Sequence, residues 1–101
     1  MNYSARFPNE SIEKRFWKAL AEIPQKTQDE ILAAVRNLEK TPRPFGEKSF
    51  RQLTPPIPIY SFVAQYRVRI SDYRVLYDVD DKRKIVWIFV VRRRSEKTHR
   101  G

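Results

Sequence analysis

The sequence predicts an α+β fold: two N-terminal antiparallel helices packed on one face of a small antiparallel β-sheet, with basic residues on the opposite face. Three observations carry that expectation. Apolar residues recur at helical spacing before Pro42, the period changes to two beyond Tyr60, and "IVWIFVV", Ile85–Val91, is apolar at every position, as a strand covered on both faces or nearly so would be. The 101 residues make one domain, 1–101.

A short strand is expected within Asn2 to Phe7. The first helix follows in "PNESIEKRFWKALAEIP", where Ile12, Phe16, Leu20 and Ile23 form one stripe and Asn9 or Ser11 can cap the start. Pro24 suits the first turn of a second helix, which carries Ile31, Ala34, Val35 and Leu38 on its stripe until Pro42 ends it. Both stripes, with Trp17 beside Phe16, read as core. "TPRPFGEKSFRQLTPPIPIY" is proline-rich and reads as connecting chain with a short extended piece at Ser49 to Leu53. Two strands then alternate. Tyr66, Val68 and Ile70 oppose Arg67, Arg69 and Ser71 across the first, and Tyr73, Val75, Tyr77 and Val79 oppose Arg74, Leu76 and Asp78 across the second. "DDKRK" is the turn before the apolar strand.

Composition excludes several function classes. With no cysteine there is neither a disulfide frame nor a thiolate metal cage, and a reducing cytoplasm is the expected location. No apolar run approaches the roughly 20 residues that cross a bilayer, so no membrane role is expected. No glycine-rich phosphate loop, nucleophile elbow or metal-ligand cluster can be assembled, so neither a metal nor a small-molecule cofactor is expected. The net charge is +9, and it is uneven: residues 1–50 carry nine basic and seven acidic side chains, residues 51–101 twelve and five. A field of this sign draws polyanions such as nucleic acid, or an acidic protein.

If Ser71 and Asp72 form the tip of a tight hairpin, Ile70 faces Tyr73, Arg69 faces Arg74, Val68 faces Val75 and Arg67 faces Leu76. Arg67, Arg69 and Arg74 then crowd one side of the sheet. Like charges directly opposed cost about 0.2–1 kcal/mol, so stability does not recommend the arrangement, whereas a phosphate held by several guanidinium forks does. "RRRSEKTHR" adds Arg92, Arg93, Arg94, Lys97 and Arg100 around the single histidine, His99. Cleavage of RNA through its 2′-hydroxyl needs positive charge for the developing phosphorane and a base for the proton. Arginine supplies the first, and histidine is the side chain suited to the second.

Two helices, a meander, "YRVRISDYRVLYDV", "IVWIFVV" and the basic terminus together resemble the RelE/ParE superfamily of toxins from bacterial type II toxin–antitoxin pairs. The resemblance covers nearly the whole chain, and its most specific element is "ISDYRVLYDV". For the RelE branch it implies a ribosome-dependent endoribonuclease that cuts messenger RNA without a metal. Arg74 then matches the hairpin arginine that steadies the phosphate, Arg67 and Arg69 match positions often held by lysine, and Arg93 or Arg94 matches the basic residue after the last strand. Arginine at 67 and 69 cannot readily act as a base, which leaves that role to His99, with Glu96 a weaker candidate to orient it or exchange a proton. The resemblance also implies a cognate antitoxin, whose covering segment should be acidic, and the ribosome and messenger RNA as further partners. The ParE branch, a DNA gyrase inhibitor without nuclease activity, shares much of the hairpin, and a basic RNA-binding module is the third reading.

Overall fold

The computed structural model describes residues 2–94. It has the order β1 (Ser4–Arg6), α1 (Glu10–Ala21), α2 (Gln25–Lys40), β2 (Phe50–Ile59), β3 (Phe62–Ile70), β4 (Tyr73–Asp80) and β5 (Ile85–Arg93). The strands form one sheet in the order β1-β5-β4-β3-β2. The sheet is antiparallel as expected except at one edge, where β1 runs parallel to β5.

Helix α1 starts where the Asn9 side chain accepts a hydrogen bond from the Ile12 N–H at 2.8 Å, satisfying one of the free amides of the first turn. It buries Ile12, Phe16 and Leu20, one turn apart, against the sheet. Helix α2 begins just after Pro24, which precedes the first helical residue rather than occupying it, and buries Ile31 and Leu38. Phe16, Leu20, Ile31 and Leu38 meet Phe50, Val68, Val75, Tyr77, Val86, Ile88 and Val91 in the main core. Trp17 lies at the margin of that core, 43% exposed, with its indole N–H donating to Glu13 Oε2 at 3.2 Å and its ring edge-on to Phe16.

The proline-rich connection is a correction. Residues expected to be mostly loop form the ten-residue edge strand β2, despite Pro55, Pro56 and Pro58. Proline removes a ladder donor, which an edge strand or a bulge tolerates and a central strand does not. Both conditions hold here: β2 ends the sheet, and its register to β3 jumps between Gln52 opposite Tyr66 and Ile57 opposite Ala64. Beyond that bulge the β2–β3 hairpin folds across the sheet face away from the helices. Ile59 and Ala64 pack there with Leu76 and Phe89 in a second core, flanked by Leu53, Ile57, Phe62, Trp87 and Val90.

A polar network ties the segment after α2 to the far corner of the sheet. Arg43 donates to both carboxylate oxygens of Asp81, at 2.9 and 3.2 Å, and through Nε to the Tyr66 hydroxyl at 2.8 Å; Tyr3 donates to Asp81 Oδ1 at 2.6 Å. The buried Tyr77 hydroxyl donates to the Pro42 carbonyl at 2.7 Å. Arg43 and Tyr3 together depress the Asp81 carboxyl from 3.8 to about 2. A carboxyl with a lower pKa in the folded state binds fewer protons there, so its stabilisation is present above pH about 4 and is lost as pH falls through about 2. Asp81→Asn is therefore expected to flatten the acid limb of a urea-midpoint profile between pH 2 and 4. An unchanged limb would assign acid sensitivity to other carboxylates.

Candidate functional site

Strand pairing decides which arginines share a surface, because directly opposed residues project to the same face. Ile70 faces Tyr73, Arg69 faces Arg74, Val68 faces Val75 and Arg67 faces Leu76, the register expected of a Ser71–Asp72 turn. Ser71 adopts φ of +56°, as the first central position of a primed hairpin turn requires. Across the next pairs Arg51 opposes Arg67 and Arg74 opposes Arg92. Arg51, Arg67, Arg69, Arg74 and Arg92 thus line the face away from the helices, beside the second core. Arg94 continues past them, its backbone N–H donating to the Asp72 carbonyl at 2.6 Å.

Two side chains show how closely the charges gather. Arg67 is half-buried, donates to the Ser49 carbonyl at 3.0 Å, and has its pKa lowered first by burial and then by Arg51, Arg69, Arg74 and Arg94. That shift records positive charge pressed around one guanidinium, which an incoming anion would relieve. The Nε of Arg74 is buried and has no hydrogen-bond partner among the described residues. A buried donor left without a partner costs about 1–3 kcal/mol. The ion pairs among the described residues are Arg43 with Asp81 and Arg83 with Asp80, neither of which involves this group. The face gathers positive charge that no acidic side chain among the described residues pairs with.

Of the residues singled out in the sequence, Arg67, Arg69, Arg74, Arg92 and Arg94 come together. Arg93 does not, since it opposes Tyr73 and its side of β5 is the one that faces the helices. Lys97, His99 and Arg100, with Glu96, lie outside the described residues. Arg51 was missed, because only its pairing opposite Arg67 brings it to the face, and the bulged register of β2 is not written in local alternation.

The model of the ParE toxin of the type II toxin–antitoxin system parDE matches residues 11–98. The chain belongs to this toxin family. It is therefore the toxin of a type II toxin–antitoxin system within the RelE/ParE superfamily. Among solved structures, the toxin is similar to one in an archaeal RelE–RelB complex from Pyrococcus horikoshii, at 27% identity and a TM-score of 0.72, over 95% of this chain and 99% of that one. It shares a fold with a chain of the RelBE2 toxin–antitoxin complex of Mycobacterium tuberculosis, at 20% identity and a TM-score of 0.64, over 93% and 100% of the two chains. A double mutant of the E. coli toxin RelE in the free state gives 17% identity and a TM-score of 0.51, over 92% and 84%. No curated protein sequence matches the toxin. No helix among its described residues is long and apolar enough to cross a membrane.

Proposed function

We propose that the toxin is a ribosome-dependent messenger RNA endoribonuclease acting in the cytoplasm and neutralised by a cognate antitoxin with an acidic segment. The observation that carries this reading is the arginine face, with the partnerless Arg74 Nε at its centre and Arg69, Arg92 and Arg67 around it. Similarity to the RelE of the Pyrococcus complex over nearly the whole chain supports it.

In this mechanism the scissile phosphate of a message held in the ribosome sits over Arg74. The 2′-oxygen attacks phosphorus, the bond to the 5′-oxygen breaks, and the products are a 2′,3′-cyclic phosphate and a free 5′-hydroxyl. Guanidinium donors aimed at the equatorial oxygens strengthen as charge develops there, which lowers the barrier. Arg67, Arg69, Arg92 and Arg94 hold flanking phosphate charge, with Arg93, Lys97 and Arg100 adding to the basic end of the chain. His99 takes the 2′-hydroxyl proton, and the departing 5′-oxygen takes one from solvent.

Expression of the toxin from a tight promoter, followed by mapping of message 5′ ends, should give cuts at a fixed position within codons. His99→Ala is expected to lower the cleavage rate by about a hundredfold or more while ribosome binding persists. Wild-type cleavage should rise with pH as the imidazole loses its proton and becomes a base. Full cleavage by His99→Ala would assign the base elsewhere. The match to the ParE model favours a second reading, gyrase inhibition without nuclease activity. Loss of supercoiling by gyrase with intact messages would establish it, and a module that only binds RNA would show neither effect.

A further inference from the structure

Phe45 is the most exposed of the large apolar side chains among the described residues, at 70%, yet its backbone is firmly held. The neighbouring Pro44 is buried, and the turn is closed by hydrogen bonds from Phe45 N–H to the Arg43 carbonyl, Glu47 N–H to Pro44 and Phe50 N–H to Glu47. Gly46, at φ of +93°, supplies the left-handed residue that lets the chain double back directly after the ring. One edge of Phe45 meets Phe50 at a centroid separation of 5.3 Å, and Phe50 stacks on Tyr66 at 5.7 Å, which is itself 5.7 Å from Tyr77. The aromatic ladder starts in the core and ends at a bare ring.

Beside that ring lies an open concavity of about 440 Å³ lined by Phe45, Gly46, Glu47, Lys48, Phe50, Arg51 and Gln52. Lys48 and Arg51 are exposed, and Arg51 opposes Arg67, so the concavity adjoins the arginine face along the edge of β2. A bare aromatic plane joined to a cationic track is the arrangement that binds single strands, with bases stacked on rings and phosphates tracked by the charges. Glu47 is the single acid on the rim, and it opposes a phosphate at that end alone.

We infer that Phe45 is a stacking platform for an unpaired base of single-stranded RNA, with Lys48 and Arg51 holding the phosphates that connect this base to the strand on the arginine face. This inference deepens the nuclease reading and rests on it for the identity of the strand. It adds a contact in the turn before β2, away from Arg74 in β4 where the reacting phosphate is proposed to sit, one that positions the message and does not touch the bond that breaks.

The test uses full-length toxin freed from its antitoxin and a single-stranded hexaribonucleotide carrying 2-aminopurine, whose fluorescence falls on stacking. Wild type should bind and quench it. Phe45→Ala should bind about fivefold or more weakly and lose the quench, and Phe45→Trp should retain both. A strand of the same phosphate count lacking bases should bind wild type and Phe45→Ala alike. Arg51→Gln should reduce the slope of log affinity against log salt by about 0.7, the loss of one phosphate contact. Equal affinity and quench for Phe45→Ala, absence of binding by wild type, or a Phe45→Ala defect confined to the antitoxin complex would each overturn the inference. Intact messages after toxin expression would sink the nuclease reading while leaving the quench to be measured. Cut messages with a Phe45-independent quench would sink the platform and leave that reading standing.

Discussion

Arg74→Met is expected to give a toxin about 1 kcal/mol more stable than the parent and slower in message cleavage by about a hundredfold to a thousandfold. The gain follows from two features of the folded state. The Nε of Arg74 is buried without a partner, and Arg74 faces Arg69 across the β3–β4 pair while facing Arg92 on the other side. Removing the donor relieves a desolvation cost of about 1–3 kcal/mol, and removing the charge relieves about 0.2–1 kcal/mol of repulsion across each pair, against which some packing is lost. Methionine keeps the length and flexibility of the stem on the face it shares with Leu76, two residues along β4. The expected loss of rate follows from the proposed mechanism, in which the Arg74 guanidinium charge offsets the charge that develops on the phosphorane oxygens and methionine supplies none. Urea unfolding and a reconstituted ribosome cleavage assay read the two effects on one protein. A variant that is destabilised, or that cleaves normally, would show that Arg74 is an ordinary solvent-facing arginine.

This opposition of stability and activity is partly legible in the amino-acid sequence. The alternation in "YRVRISDYRVLYDV" implies inner and outer faces, and a two-residue tip at Ser71–Asp72 implies the pairing of Arg69 with Arg74, both of which the fold contains. What alternation could not supply was long-range register. Arg51 joins the arginine face only because β2 pairs with β3 ahead of a bulge, and Arg43 reaches Asp81 across 38 residues of sequence. Arg93 leaves the face for an equally local reason: it opposes Tyr73, one step out of phase with Arg92 and Arg94. The apolar run Ile85–Val91 implied a strand covered on both faces without revealing what the second cover is. Two helices cover one face of a sheet, so a strand without a polar side needs a second cover, and the prolines of β2 obscured the hairpin that provides it.

Leu76→Ala is where that second cover is expected to show its energetic weight. Read by alternation, Leu76 shares its side of β4 with Arg74 and Asp78, and a lone leucine on a solvent face would lose about 0.5 kcal/mol or less on truncation. In the fold it is 0% exposed, opposite Arg67 on one side and Val90 on the other, and packed with Ile59, Ala64 and Phe89. Truncation there leaves a cavity that the bulged hairpin and the paired strands cannot fully close, and such losses run to about 2–5 kcal/mol. Against a total stability of about 5–15 kcal/mol for a domain of this size, that is a large fraction, and the urea midpoint should fall accordingly. The damage should also reach the arginine face, because Leu76 lies directly between Arg67 and Val90 in the sheet and two residues from Arg74. A hairpin that loosens there frees the Arg67 guanidinium from its place beneath Ser49, so RNA affinity should fall under conditions in which the variant is still folded. A midpoint within about 0.5 kcal/mol of the parent would mean that the hairpin end does not cover the sheet, and that the arginines stand on a surface open to solvent beside them.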